Sequence, residues 1–128
     1  LHFQRVKQQP KLVRCIWGHV WDVVVDLRKD SPTFKRWLAF DLVGKQHNEI
    51  LVPAGCAHGY LVLEDSIVSY KCGEKFYAEY DDGVMWNDPD LAVNWPLERI
   101  GGEANLILAD KDKNLQSFAQ FMSNYGGF

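Results

Sequence analysis

Val20-Trp-Asp-Val-Val-Val-Asp-Leu27 decides how the chain is read. Eight residues rich in β-branched side chains predict a strand. Successive strand side chains point to opposite faces. Trp21, Val23, Val25 and Leu27 therefore share one face, and Asp22 and Asp26 share the other with Val20 and Val24. Similar runs lie on both sides. Lys11–Trp17 precedes it and closes at Gly18; Arg36–Leu42, Ile50–Pro53, Tyr60–Leu63, Ile67–Cys72 and Val84–Trp86 follow. Ala54–Gly59, bracketed by Gly55 and Gly59, predicts a tight turn, and Glu64-Asp65-Ser66 predicts the tip of a hairpin. Leu115, Phe118, Ala119 and Met122 recur at helical spacing, and Asn124–Phe128 reads as a frayed end. Short strands followed by one late helix predict an all-β fold, an antiparallel sandwich or jelly-roll barrel with a short C-terminal helix.

The 128 residues suit one domain (1–128) able to bury a core without metal or disulfide support. Lys and Arg total 14 against 17 Asp and Glu, a net charge of −3 that argues against nucleic acid as the main partner. Four of the basic residues, Arg5, Lys7, Lys11 and Arg14, lie in Leu1–Arg14, which has no acid, so an anion is the expected partner of that segment. No apolar run reaches the length of a membrane span. Cys15, Cys56 and Cys72, an odd number without close pairing, point to free thiols in a reducing, cytoplasmic compartment.

His2, His19, His47 and His58 form no His-x-His and have no Cys or carboxylate at metal-ligand spacing, so no metal and no cofactor are expected. Phosphate-cradling glycine loops and nucleophile elbows are not evident. Cys56 beside His58 raises a thiol nucleophile, but a small buried residue is the commoner fate.

Several stretches carry more. These are Leu1-His-Phe-Gln, Pro10-Lys-Leu-Val-Arg-Cys, Val52-Pro-Ala-Gly-Cys-Ala-His-Gly-Tyr, Tyr70-Lys-Cys, Trp86-Asn-Asp-Pro-Asp-Leu, Asn94-Trp-Pro-Leu and Ala109-Asp-Lys-Asp. In this order they resemble the dTDP-4-dehydrorhamnose 3,5-epimerase family, from Leu1 to about Phe118. The resemblance implies a metal-independent cupin-type jelly roll, working as a homodimer. Its substrate would be a dTDP-linked 4-keto-6-deoxyhexose, inverted at C3 and/or C5. Such chemistry needs a base, an enolate stabiliser and a proton donor on the other side of the ring.

By the same resemblance His2 matches the base, and Asp112, with Asp110 as the alternative, the carboxylate that orients it. Lys11 matches the enolate stabiliser and Tyr70 the donor. His58, Phe76 and Arg14 are expected to contact substrate, Phe76 by stacking on the nucleotide base. The family carries further sequence before the Leu-His motif, so the resemblance also implies an N-terminally truncated member. A non-catalytic sugar-nucleotide binding module derived from the enzyme is the alternative.

Overall fold

The computed structural model describes residues 1–128. Eight antiparallel strands form two sheets, with one helix at the end. In chain order the strands are β1 (His2–Gln4), β2 (Lys11–Trp17), β3 (His19–Asp26), β4 (Trp37–Val43), β5 (Glu49–Val52), β6 (Cys56–Val62), β7 (Ile67–Cys72) and β8 (Asp81–Gly83). The helix, α1, spans Phe118–Tyr125. The larger sheet runs β4-β3-β6-β1-β8 and the smaller one β5-β2-β7.

β3 lies inside the larger sheet, paired with β4 and β6, and its alternation organises the core. Val20, fully buried, meets Val13 and Cys15 of the smaller sheet. Val23 and Val25 point the other way, into a second core closed by Phe118 and Phe121 of α1. Trp21 on that side packs edge-on against Trp37 and Trp95 at 6.2 and 5.4 Å between centroids. One sheet thus separates two apolar layers, as a strand with both faces apolar requires.

Two short links carry the chain from one sheet to the other at the same corner. Gly18, at φ +82°, turns β2 into β3. Glu64-Asp65-Ser66 turns β6 into β7, so the expected hairpin does not form: β6 pairs with β3 and β1, β7 with β2. The links lock together. The His19 carbonyl accepts from the backbone N–H of Leu63 and Glu64, and the His19 N–H donates to Ser66 Oγ. A Cβ on Gly18 would collide with the Asp65 carbonyl oxygen, so both the positive φ and the close approach require glycine here.

Other expectations shift. The turn at Ala54–Gly59 ends early, because β6 begins at Cys56 and Gly59 stays within it, packed against Leu1. The strand expected at Val84–Trp86 falls at Asp81–Gly83; Val84 makes only an isolated parallel bridge to Gln116. Leu115 lies outside α1, which starts after Ser117, where Ser117 and Gln120 form a capping box. The C-terminus is tied rather than frayed. Phe128 exchanges backbone hydrogen bonds with Leu27 and Lys29, and its ring packs on Phe3 and Phe121.

Candidate active site

A cavity of about 590 Å³ opens between β1 and β6 of the larger sheet, β2 and β7 of the smaller one, and the loop before α1. Strand parity fills its polar half. Lys11, Val13 and Cys15 share the inner face of β2; Val13 and Cys15 are buried in the core, and Lys11, where β2 begins, reaches the cavity. Tyr70 stands opposite Val13 in the β2–β7 ladder and so points the same way. Lys11 Nζ lies 6.0 Å from the centre of the Tyr70 ring. Burial lowers the pKa of the Lys11 ammonium.

From the facing sheet come two imidazoles. His2 on β1 and His58 on β6 are directly opposed in the ladder, so they project side by side. His2 Nε2 lies 2.5 Å from Asp112 Oδ1, with about a quarter of each side chain exposed (26% and 30%). Asp110 is not a competitor: its side chain is 97% exposed and bonds Lys113. Burial pushes the His2 imidazole below its ordinary value, and the Asp112 hydrogen bond opposes that shift. His58 has its own carboxylate. Its Nε2 lies 2.8 and 3.0 Å from the two oxygens of Asp22, which is fully buried. Desolvation raises the Asp22 pKa, and the His58 contact pulls it back down.

Asp22 was not singled out from sequence, although the signal was there: an acid on the core-facing side of a valine run has to find a partner. His58 sits within a strand, not in a turn, because the ladder continues through Gly59. Phe76, between β7 and β8, lines the cavity rim with its ring exposed. Arg14 is placed elsewhere. One residue out of phase with Val13 and Cys15, it points to the outer face of the smaller sheet, where it lies 2.6 Å from His47 Nδ1. It does not line the cavity. The apolar half is formed by Trp86, Trp95, Ile107, Leu108 and Leu115. No group of three or more His, Cys, Asp or Glu side chains converges as metal ligands would. Cys56 is buried and its thiol is pushed up by that burial, which suits packing better than nucleophilic attack.

The sequence model of a family described as dTDP-4-dehydrorhamnose 3,5-epimerase matches residues 1–120. The chain belongs to this family. Among curated dTDP-4-dehydrorhamnose 3,5-epimerases, that of Methanothermobacter thermautotrophicus is 49% identical over 115 residues, 89% of this chain and 60% of the relative. The crystal structure of the dTDP-6-deoxy-D-glucose-3,5-epimerase from Legionella pneumophila, in complex with dTDP-4-keto-L-rhamnose, superposes with a TM-score of 0.89. It is 35% identical over 98% of this chain and 64% of that one. A 3'-monoepimerase from Streptomyces bikiniensis, in complex with dTDP-quinovose, gives 0.84 at 30% identity over 98% and 61%. The chain thus spans about 60% of the length of the epimerase relatives it matches. The cupin-type jelly roll is the architecture shared with these dTDP-sugar epimerases. No helix is long and apolar enough to cross a membrane.

Proposed function

We propose that this chain carries the reaction centre of an epimerase acting on a dTDP-4-keto-6-deoxyhexose. It would invert C3 and/or C5 through an enolate at the 4-keto group. The observation that carries this reading is the His2–Asp112 pair at 2.5 Å on one sheet, sharing a cavity with Lys11 and Tyr70 on the facing sheet. A carboxylate at Nε2 keeps the proton on that nitrogen and leaves the Nδ1 lone pair free as the base. Burial favours the neutral ring needed for proton uptake.

In the proposed reaction His2 Nδ1 takes the proton from the carbon beside the carbonyl, and the C–H electron pair moves onto the 4-keto oxygen. The Lys11 ammonium stabilises that negative oxygen. The Tyr70 hydroxyl returns a proton to the carbon from the other side of the ring, and solvent restores both groups. Phe76 offers an exposed ring at the rim for stacking on thymine. His58, fixed by Asp22, would present its remaining nitrogen to the sugar.

We read the partner as this nucleotide sugar rather than nucleic acid. A homodimer is the assembly favoured by apolar Ile16 and Leu51, 53% and 68% exposed on the outer face of the smaller sheet. Three free thiols favour a reducing, cytoplasmic setting.

The test is deuterium incorporation from D2O into dTDP-4-keto-6-deoxyglucose, followed by NMR at C3 and C5. The folded chain should exchange, His2→Asn should not, and Tyr70→Phe should lose inversion. Equal behaviour of the native chain and His2→Asn would remove the catalytic reading. Retained dTDP binding by calorimetry would then favour a binding module.

A further inference from the structure

The geometry points to Lys111 and Asp81 as positioning residues, an ion-pair latch that holds the loop bearing Asp112 against the sheet so that its carboxylate meets His2. Lys111 Nζ lies 2.6 Å from Asp81 Oδ2. This inference rests on the epimerase reading for its kinetic consequence but not for its structural one.

The loop needs an external hold. From Gly101 to Leu115 the chain forms no strand, only two short 3-10 turns. Its hydrogen bonds close mostly on itself. The Asp112 N–H donates to the Ala109 carbonyl, Asn114 Nδ2 to the Asp110 carbonyl and Lys113 Nζ to the Asp110 carboxylate. In this stretch only two polar contacts reach the sheets: His2–Asp112 itself and Lys111–Asp81. Beyond it, Gln116 is anchored through its side chain on Asp82 of β8 and through its carbonyl on the N–H of Met85, just past that strand.

β8 supplies both anchors by alternation. Asp81 pairs with Gln4 in the β1–β8 ladder and so shares the cavity face with His2, two residues away on β1. Asp82 pairs with Phe3 and faces α1, where it accepts from Tyr125. The strand carrying Asp81 is therefore the immediate neighbour of the strand carrying the base. The latch and the His2–Asp112 pair are adjacent links between one loop and one strand pair. An exposed ion pair contributes little to global stability. Its effect here is directional, because it restricts the residue just before Asp112, whose carboxylate must approach an imidazole.

The test compares Lys111→Met, Asp81→Asn, the double variant and Lys111→Arg in the 128-residue chain. The first readout is the NMR signal of the imidazole N–H of His2, which bonding to Asp112 protects from solvent exchange. The corresponding His58 N–H, bonded to buried Asp22, is the internal control. The native chain and Lys111→Arg should retain the His2 signal. Both single losses should abolish or broaden it, and the double variant should be no worse than either single. The His58 signal should remain throughout.

Sugar exchange should fall about fivefold in each single variant, in the rate rather than in KM. A His2 signal untouched by either loss overturns the latch. So do effects that add in the double variant, or loss of the His58 signal alongside. An effect of Lys111→Met without one of Asp81→Asn assigns Lys111 to direct substrate contact and also overturns it. Absence of turnover in the native chain counts against the proposed function alone, because the imidazole signals need no substrate.

Discussion

Replacing Asp112 by Asn removes a negative charge 2.5 Å from the His2 ring while keeping the size of the side chain. A hydrogen bond to a charged group contributes about 1.5–3 kcal/mol. With roughly a quarter of each side chain exposed to water, the lower half of that range applies, about 1.5–2 kcal/mol. Loss of that bond moves the His2 midpoint further down, because the carboxylate is what favours the charged ring. Burial already holds that midpoint below the ordinary imidazole value, and Asp112 opposes the shift, so removal of the carboxylate moves it down, not up.

The kinetic sign follows. A less basic imidazole is a weaker acceptor, so the plateau of sugar exchange should drop about tenfold or more. The same imidazole stays neutral to lower pH, so the acid limb of the profile should move toward acid. An Asn amide that turns its NH2 toward Nε2 would force the ring proton onto Nδ1 and deepen the loss. The assays are a pH titration of the His2 ring proton by NMR and the pH profile of deuterium incorporation. An unchanged midpoint together with an unchanged profile would refute the coupling of these two side chains.

Three further outcomes are expected. His58→Ala leaves the Asp22 carboxylate buried without its partner and should cost roughly 3–5 kcal/mol in urea unfolding, whereas Asp22→Asn, still able to accept from Nε2, should cost clearly less. Gly18→Ala and Gly102→Ala both put alanine at a positive φ, but only the Gly18 Cβ would meet a backbone carbonyl, that of Asp65, whereas the Gly102 Cβ meets nothing within 4 Å, so Gly18→Ala should lower the melting temperature more. Phe121→Ala empties a fully buried site at the centre of the α1 core, with an expected loss of about 3–5 kcal/mol by denaturant titration.

What could be read beforehand follows from how local each signal is. The period-two pattern of β3 was legible because both faces of that strand are apolar, and it put Val20 and Val23 on opposite faces, where the two cores hold them. His2, Lys11, Tyr70 and Asp112 were legible through motifs, and all four line one cavity. The connection from β6 to β7 was not. Three polar residues between two apolar runs have the composition of a hairpin tip, and nothing local tells a strand which sheet it will join. Long-range contacts decide that, here the fit of Asp65 over Gly18. Arg14 is the opposite case: the parity that puts Val13 inside puts Arg14 outside, away from the cavity, whatever the motif around it implies. The bond between His58 and Asp22 joins residues 36 positions apart, a distance over which sequence spacing is silent.

The corner at Glu64-Asp65-Ser66 has a consequence for stereochemistry. Had these residues closed a hairpin, Tyr70 would lie beside His58 in the sheet that carries His2. The proposed base and donor would then approach a bound sugar from a single side, and a proton removed there would be returned there. The carbon would exchange its hydrogen and keep its configuration. Because the chain instead passes to the facing sheet, the phenol and the imidazole stand on separate walls of the cavity. In the proposed reaction, whether the product is the mirror arrangement at that carbon or merely the labelled starting sugar is a matter of chain connectivity, settled by a three-residue link on the far side of Tyr70 from Lys11.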